Sequence, residues 1–107
     1  LAYPEATSNW TNRFQMFATQ NMWTFILLDS YNGRLWQVQY STQDLDNLFC
    51  IPINKYELVE NNERCIFSIQ PLTSMYQYYL INDNTGDMWK FQWSTKGDDY
   101  RWIERFR

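Results

Sequence analysis

The sequence predicts an all-β chain: two homologous four-stranded antiparallel meanders, packed as a pseudo-twofold sandwich or closed into a barrel. Three observations carry this. Met22–Ser41 aligns without gaps to Met75–Ser94, an offset of 53 residues, with six of the twenty positions identical; repeats of this length mean stacked supersecondary units. Aromatic and polar residues alternate within each copy, as they do on strands with one buried face. A polar turn ending in Gly precedes each alternating stretch, which is a hairpin signal.

The elements follow in chain order. Residues 1–12 read as an N-terminal arm. Residues 13–53 form the first β-repeat, 54–63 a polar linker with room for a helical turn, and 64–107 the second β-repeat, all in one compact domain. Phe14–Ala18 and Cys65–Ile69 open the two units. Trp23–Asp29 is rich in aromatic and aliphatic residues, as strands are. Both of its faces are apolar, with Trp23, Phe25 and Leu27 opposite Thr24, Ile26 and Leu28. Such a strand is covered twice or leaves one face open. In Leu35–Tyr40, Trp36, Val38 and Tyr40 are expected to face the core, with Gln37 and Gln39 outward. Trp89, Phe91 and Trp93 repeat the scheme against Lys90 and Gln92. Leu48–Ile53 and Tyr100–Ile103 close the units. Pro52 requires an edge or terminal strand; Pro71 is expected in a connection.

Between the paired strands lie Asp29-Ser-Tyr-Asn-Gly33 and Asn82-Asp-Asn-Thr-Gly86. Asp29 and Asn82 are expected to accept turn N–H groups, and Gly33 and Gly86 to supply a positive φ. These four are structural turn residues.

Composition excludes several activities. Six Trp, eight Tyr and seven Phe rule out a disordered chain. The nine basic residues are outnumbered by twelve acidic ones and form no cluster, so no nucleic-acid partner is expected. No apolar run approaches the ~20 residues of a membrane-spanning helix, so no membrane insertion is expected. There is no His, which removes the usual general base and the commonest transition-metal ligand. No metal site, cofactor or catalytic residue is expected. Gly97-Asp98-Asp99 reads as a solvated turn, because adjacent carboxylates on an extended chain point apart. Asp29 with Asp44, or Asp87 with Asp98, would have to stand at glycosidase separation, and nothing in the spacing favours it. Cys50 and Cys65 are candidates for one disulfide, worth about 3 kcal/mol in the chain-entropy model; the alternative is two buried thiols.

The unit resembles a recurring bacterial module of tandem β-meander repeats with a D/N-x-x-N/T-G-x-x-W hairpin. Asp29, Asn32, Gly33 and Trp36 fit it in the first copy, and Asn82, Thr85, Gly86 and Trp89 in the second. The resemblance implies an often exported setting, periplasmic or extracellular, and no known activity. A weaker similarity is to β-propeller blades, which also place four strands in about 40–50 residues. Two units fall short of a propeller unless further units join them.

The surplus of aromatic residues is the functional lead. Tyr31 at a hairpin tip, and Tyr100 and Trp102 beside the Gly-Asp-Asp loop, are the candidate ligand-binding residues. Tyr and Trp dominate protein-interface hot spots, so the first expectation is a non-catalytic interaction module that binds a protein partner or forms a homo-oligomer. The alternative is a carbohydrate-binding module, its exposed rings stacking on a glycan.

Overall fold

The computed structural model describes residues 12–40 and 48–107 of the chain. All but one residue of the predicted arm therefore lies outside the described residues. Among the described residues, eight strands form two sheets. The first holds β1 (Phe14–Ala18), β2 (Thr24–Asp29), β3 (Arg34–Gln39) and β4 (Phe49–Pro52). The second holds β5 (Phe67–Pro71), β6 (Gln77–Asn82), β7 (Met88–Gln92) and β8 (Trp102–Arg105). Each sheet is an antiparallel meander in sequence order. Neither closes into a barrel, so the two are layers of a sandwich. No described helix is long and apolar enough to cross a membrane.

Strand boundaries follow the sequence pattern closely, with three differences. Pro71 ends edge strand β5 opposite Tyr78 rather than lying in a connection. An edge position tolerates it, since the missing N–H faces away from the ladder. Asp98–Tyr100 forms a short 3-10 turn, which delays β8 to Trp102. The linker carries bends and no helical turn.

That linker folds back over the first hairpin. The Leu58 and Val59 N–H groups donate to the Asn32 carbonyl at 2.8 and 3.4 Å. Asn54 Oδ1 accepts the Leu35 N–H, and its Nδ2 donates to the Gly33 carbonyl. Ile66 and Phe67 then both donate to the Ser30 carbonyl. The chain thus enters the second unit directly from the turn of the first.

Cross-strand register assigns every side chain to a face. In the first sheet, Gln15, Phe17, Thr24, Ile26, Leu28, Leu35, Gln37 and Ile51 share one face. In the second, Phe67, Ile69, Tyr78, Leu80, Trp89, Phe91 and Ile103 share one. These two faces meet: Ile26, Leu28 and Leu35 lie in one buried cluster with Phe67, Ile69, Tyr78, Leu80, Trp89, Phe91 and Trp93.

The two inner faces are not repeat equivalents. Shifting Ile26, Leu28, Leu35 and Gln37 by the repeat offset gives Tyr79, Ile81, Met88 and Lys90, which line the outer face of the second sheet. Shifting the buried Tyr78, Leu80, Trp89 and Phe91 back gives Phe25, Leu27, Trp36 and Val38, on the outer face of the first. The sheets stack face to back, as successive units of one series. This differs from the twofold relation expected, in which equivalent faces would meet.

The expected orientation of β3 is therefore corrected. Gln37 is fully buried, while Trp36 and Val38 are only half-buried on the outer face. The Gln37 amide satisfies both polar groups of one buried peptide position. Its Nε2 donates to the Ser94 carbonyl at 2.9 Å, and its Oε1 accepts the Ser94 N–H at 3.1 Å. A buried polar group paired in this way avoids the desolvation cost that would otherwise turn it outward.

Candidate functional site

The face-to-back stack leaves one outer face on each sheet. On the first sheet, β1 contributes Phe14 and Met16, β2 contributes Phe25 and Leu27, β3 contributes Trp36 and Val38, and Trp23 and Tyr40 flank one end. Phe14 is 53% exposed and Met16 is 55% exposed. The rings fall into two groups: Trp23 lies 5.4 Å and Phe25 5.9 Å from Tyr40, and Phe14 lies 6.4 Å from Trp36. The Arg34 guanidinium sits 4.9 Å over the Trp36 ring. None of these residues belongs to the buried cluster between the sheets.

The outer face of the second sheet is more polar. Tyr79, Ile81 and Met88 occupy it with Gln77, Lys90 and Gln92. Lys90 pairs in register with Glu104, and Gln92 with Trp102. Phe106 packs edge-on against Tyr79 at 5.5 Å.

The three candidate ligand residues are separated by the fold. Tyr31 is half-buried: its ring carries the Arg13 guanidinium at 4.9 Å, and its carbonyl accepts Asn61 Nδ2. Tyr100 is 50% exposed and walls a cleft of about 200 Å³ with Tyr76, Trp93, Ser74, Gln92 and Lys96. The Lys96 ammonium lies 5.6 Å over the Tyr100 ring. Trp102 lines a separate, apolar groove of about 280 Å³ with Lys90, Glu104, Arg105 and Phe106. Tyr100 and Trp102 are neighbours in the chain and open into different recesses.

The turn residues act through their oxygens. Asp29 Oδ1 accepts the Tyr31 N–H, and its carbonyl accepts the Gly33 N–H. Arg13 forks across both Asp29 oxygens at 2.9 and 3.0 Å, which raises the Arg13 pKa. Asn82 Oδ1 accepts two turn N–H groups, from Asn84 and Thr85. The repeat counterpart of Arg13 is Ile66, so the second turn has no counterpart of that charged pair. Asp87 begins the return from that second turn. The hydrogen bond from Arg105 at 2.9 Å, helped by Thr85, holds its carboxyl below the usual range.

The disulfide candidate is corrected: Cys50 and Cys65 are both free thiols. Cys50 sits on the outer face of the first sheet opposite Val38, and Cys65 Sγ donates to the Asn12 carbonyl at 3.1 Å. Their separate settings follow from the stacking, which turns the Cys50 side of β4 away from the second sheet. Among the described residues, no group of three or more Cys, Asp or Glu is placed to hold a metal ion. The aromatic outer face went unassigned as a surface because β3 was read with that face inward. The signal that could have found it is the doubly apolar β2. Comparison with protein-family models, with curated proteins and with solved structures finds no match to this chain.

Proposed function

We propose that this chain is a non-catalytic interaction module that contacts a protein surface through the outer face of its first sheet. The single observation carrying this reading is the aromatic-rich outer face with Phe14, Met16, Phe25, Trp36 and Tyr40, outside the core and only partly shielded. Apolar surface of this kind gains from being covered, and its Trp and Tyr rings are the side chains that anchor interfaces. The chain has no imidazole to activate a nucleophile, and no group of three or more Cys, Asp or Glu among the described residues is placed to hold a metal ion.

An environment-sensitive apolar dye tests the reading at high dilution. The native protein is expected to bind the dye and enhance its emission. Phe14→Glu with Met16→Glu should abolish most of that signal while the near-ultraviolet circular dichroism stays native. A native protein that binds no dye would show that the face is closed and would end the proposal.

A second reading rests on the Tyr100 cleft. An aromatic wall beside Ser74, Gln92 and Lys96 has the makings of a small glycan subsite. Titration with soluble glycans should then shift tryptophan fluorescence through Trp93, and Tyr100→Ala should remove the shift. No saturable shift across a glycan panel rejects it.

A further inference from the structure

We infer that the occupant of the open face is a second copy of this chain, which seats the outer face of its second sheet on the outer face of the first. The inference rests on the interaction reading above and adds the partner and the orientation. The single chain already contains the contact once. Its internal interface joins Phe17, Ile26, Leu28 and Leu35 to Phe67, Ile69, Tyr78, Leu80, Trp89 and Phe91. The repeat equivalents of the first set are Gln70, Tyr79, Ile81 and Met88, all on the outer face of the second sheet. The repeat equivalents of the second set are Phe14, Met16, Phe25, Leu27, Trp36 and Val38, all on the outer face of the first. Each copy therefore displays both halves of the contact that holds its own sheets together.

Charge does not oppose the docking. Lys90 and Glu104 lie opposite each other on the second sheet and offset one another. Arg34 on the first sheet is engaged over Trp36. The contact is heterologous: two joined copies still present one free face of each kind, so assembly proceeds to a ring or a filament rather than stopping at a twofold dimer. One position differs from the internal contact: Lys90 replaces Gln37 at the repeat-equivalent site.

A mixing experiment decides between face-to-back and face-to-face assembly. Phe14→Glu with Met16→Glu blocks the outer face of the first sheet. Met88→Glu blocks the outer face of the second, with Phe106→Glu in its place where circular dichroism shows loss of fold. Wild-type protein should gain mass with concentration in sedimentation velocity. Each variant alone should stay monomeric. The two variants mixed should form a one-to-one complex that grows no further, because each supplies the face the other lacks. Self-association of Met88→Glu alone would overturn the inference in favour of twofold pairing through the first sheet, and would leave the interaction reading standing. Wild-type protein that stays monomeric at high concentration, or variants that ignore each other, would also overturn it. Retained dye binding at high dilution would then keep the interaction reading alive for a different partner.

Discussion

Gly33 and Gly86 occupy the same place in the two hairpins and share nearly the same backbone, with φ of +83° and +81°. A Cβ added at Gly33 would come within 2.9 Å of Leu58 and 3.1 Å of Phe67. One added at Gly86 would meet nothing within 4 Å. The first turn is roofed by the linker and by the start of the second unit; the second turn is bare. The same contrast runs through the sheets. Ile53 is buried, whereas its counterpart Phe106 is 45% exposed. Trp93 is fully buried and donates its indole N–H to the Met75 carbonyl, whereas its counterpart Tyr40 is half-buried. What a residue contributes here depends on whether its side of the unit meets the other unit in the stack, and only secondarily on the repeat.

Pairs of equivalent substitutions can break that comparison. The largest difference is expected at Trp93 and Tyr40. Trp93→Ala should cost about 3–5 kcal/mol as a cavity in the shared core, and Tyr40→Ala only about 1 kcal/mol. Urea unfolding followed by circular dichroism measures both, and equal costs would refute the inside–outside assignment. Next comes Gln37. Gln37→Ala leaves a buried N–H and a buried carbonyl of Ser94 unpaired, a loss of about 2–3 kcal/mol. Lys90→Ala should stay within about 0.5 kcal/mol in dilute protein.

The glycines give a smaller, sharper contrast. Gly86→Ala should lose about 1 kcal/mol from left-handed backbone alone. Gly33→Ala adds the clash with Leu58 and should lose at least about 2 kcal/mol; thermal melts of the two variants side by side would show the order. The smallest effect is electrostatic and confined to the second hairpin. Asp87 titrates below the usual carboxylate range because of Arg105. A depressed folded value adds stability above the unfolded pKa, and that stability fades as pH falls through the folded one. Arg105→Ala should move the Asp87 midpoint upward in an NMR titration. Arg34 stands at the equivalent position of the first hairpin, so this carboxyl has no counterpart there.

Much of this architecture was legible in the chain because its signals are local. The Gly-ended turns placed both hairpins, and the period of two found the strands within a residue or two. Tyr31 lies at the expected hairpin tip and outside the core cluster, but it is less open than that position suggests. A hairpin tip is exposed by default, and only the returning linker, with Asn61 on its carbonyl and Arg13 on its ring, half-buries it. Tyr100, beside the Gly-Asp-Asp turn, is half exposed. The cysteines could not be assigned from spacing, since a disulfide depends on which way the side chain on β4 turns.

The sequence by itself determined two meanders and the division of their strands into two faces, since alternation is a property of the extended backbone. It could not determine which face turns inward. In the first sheet both faces are apolar enough to pack, and the aromatic one is the richer. The tertiary structure chose the Ile26, Leu28 and Leu35 face, where Gln37 meets the Ser94 peptide and the linker delivers the second sheet. A face is buried by its partner, and the partner lies 57 residues further along the chain, beyond the reach of any local pattern.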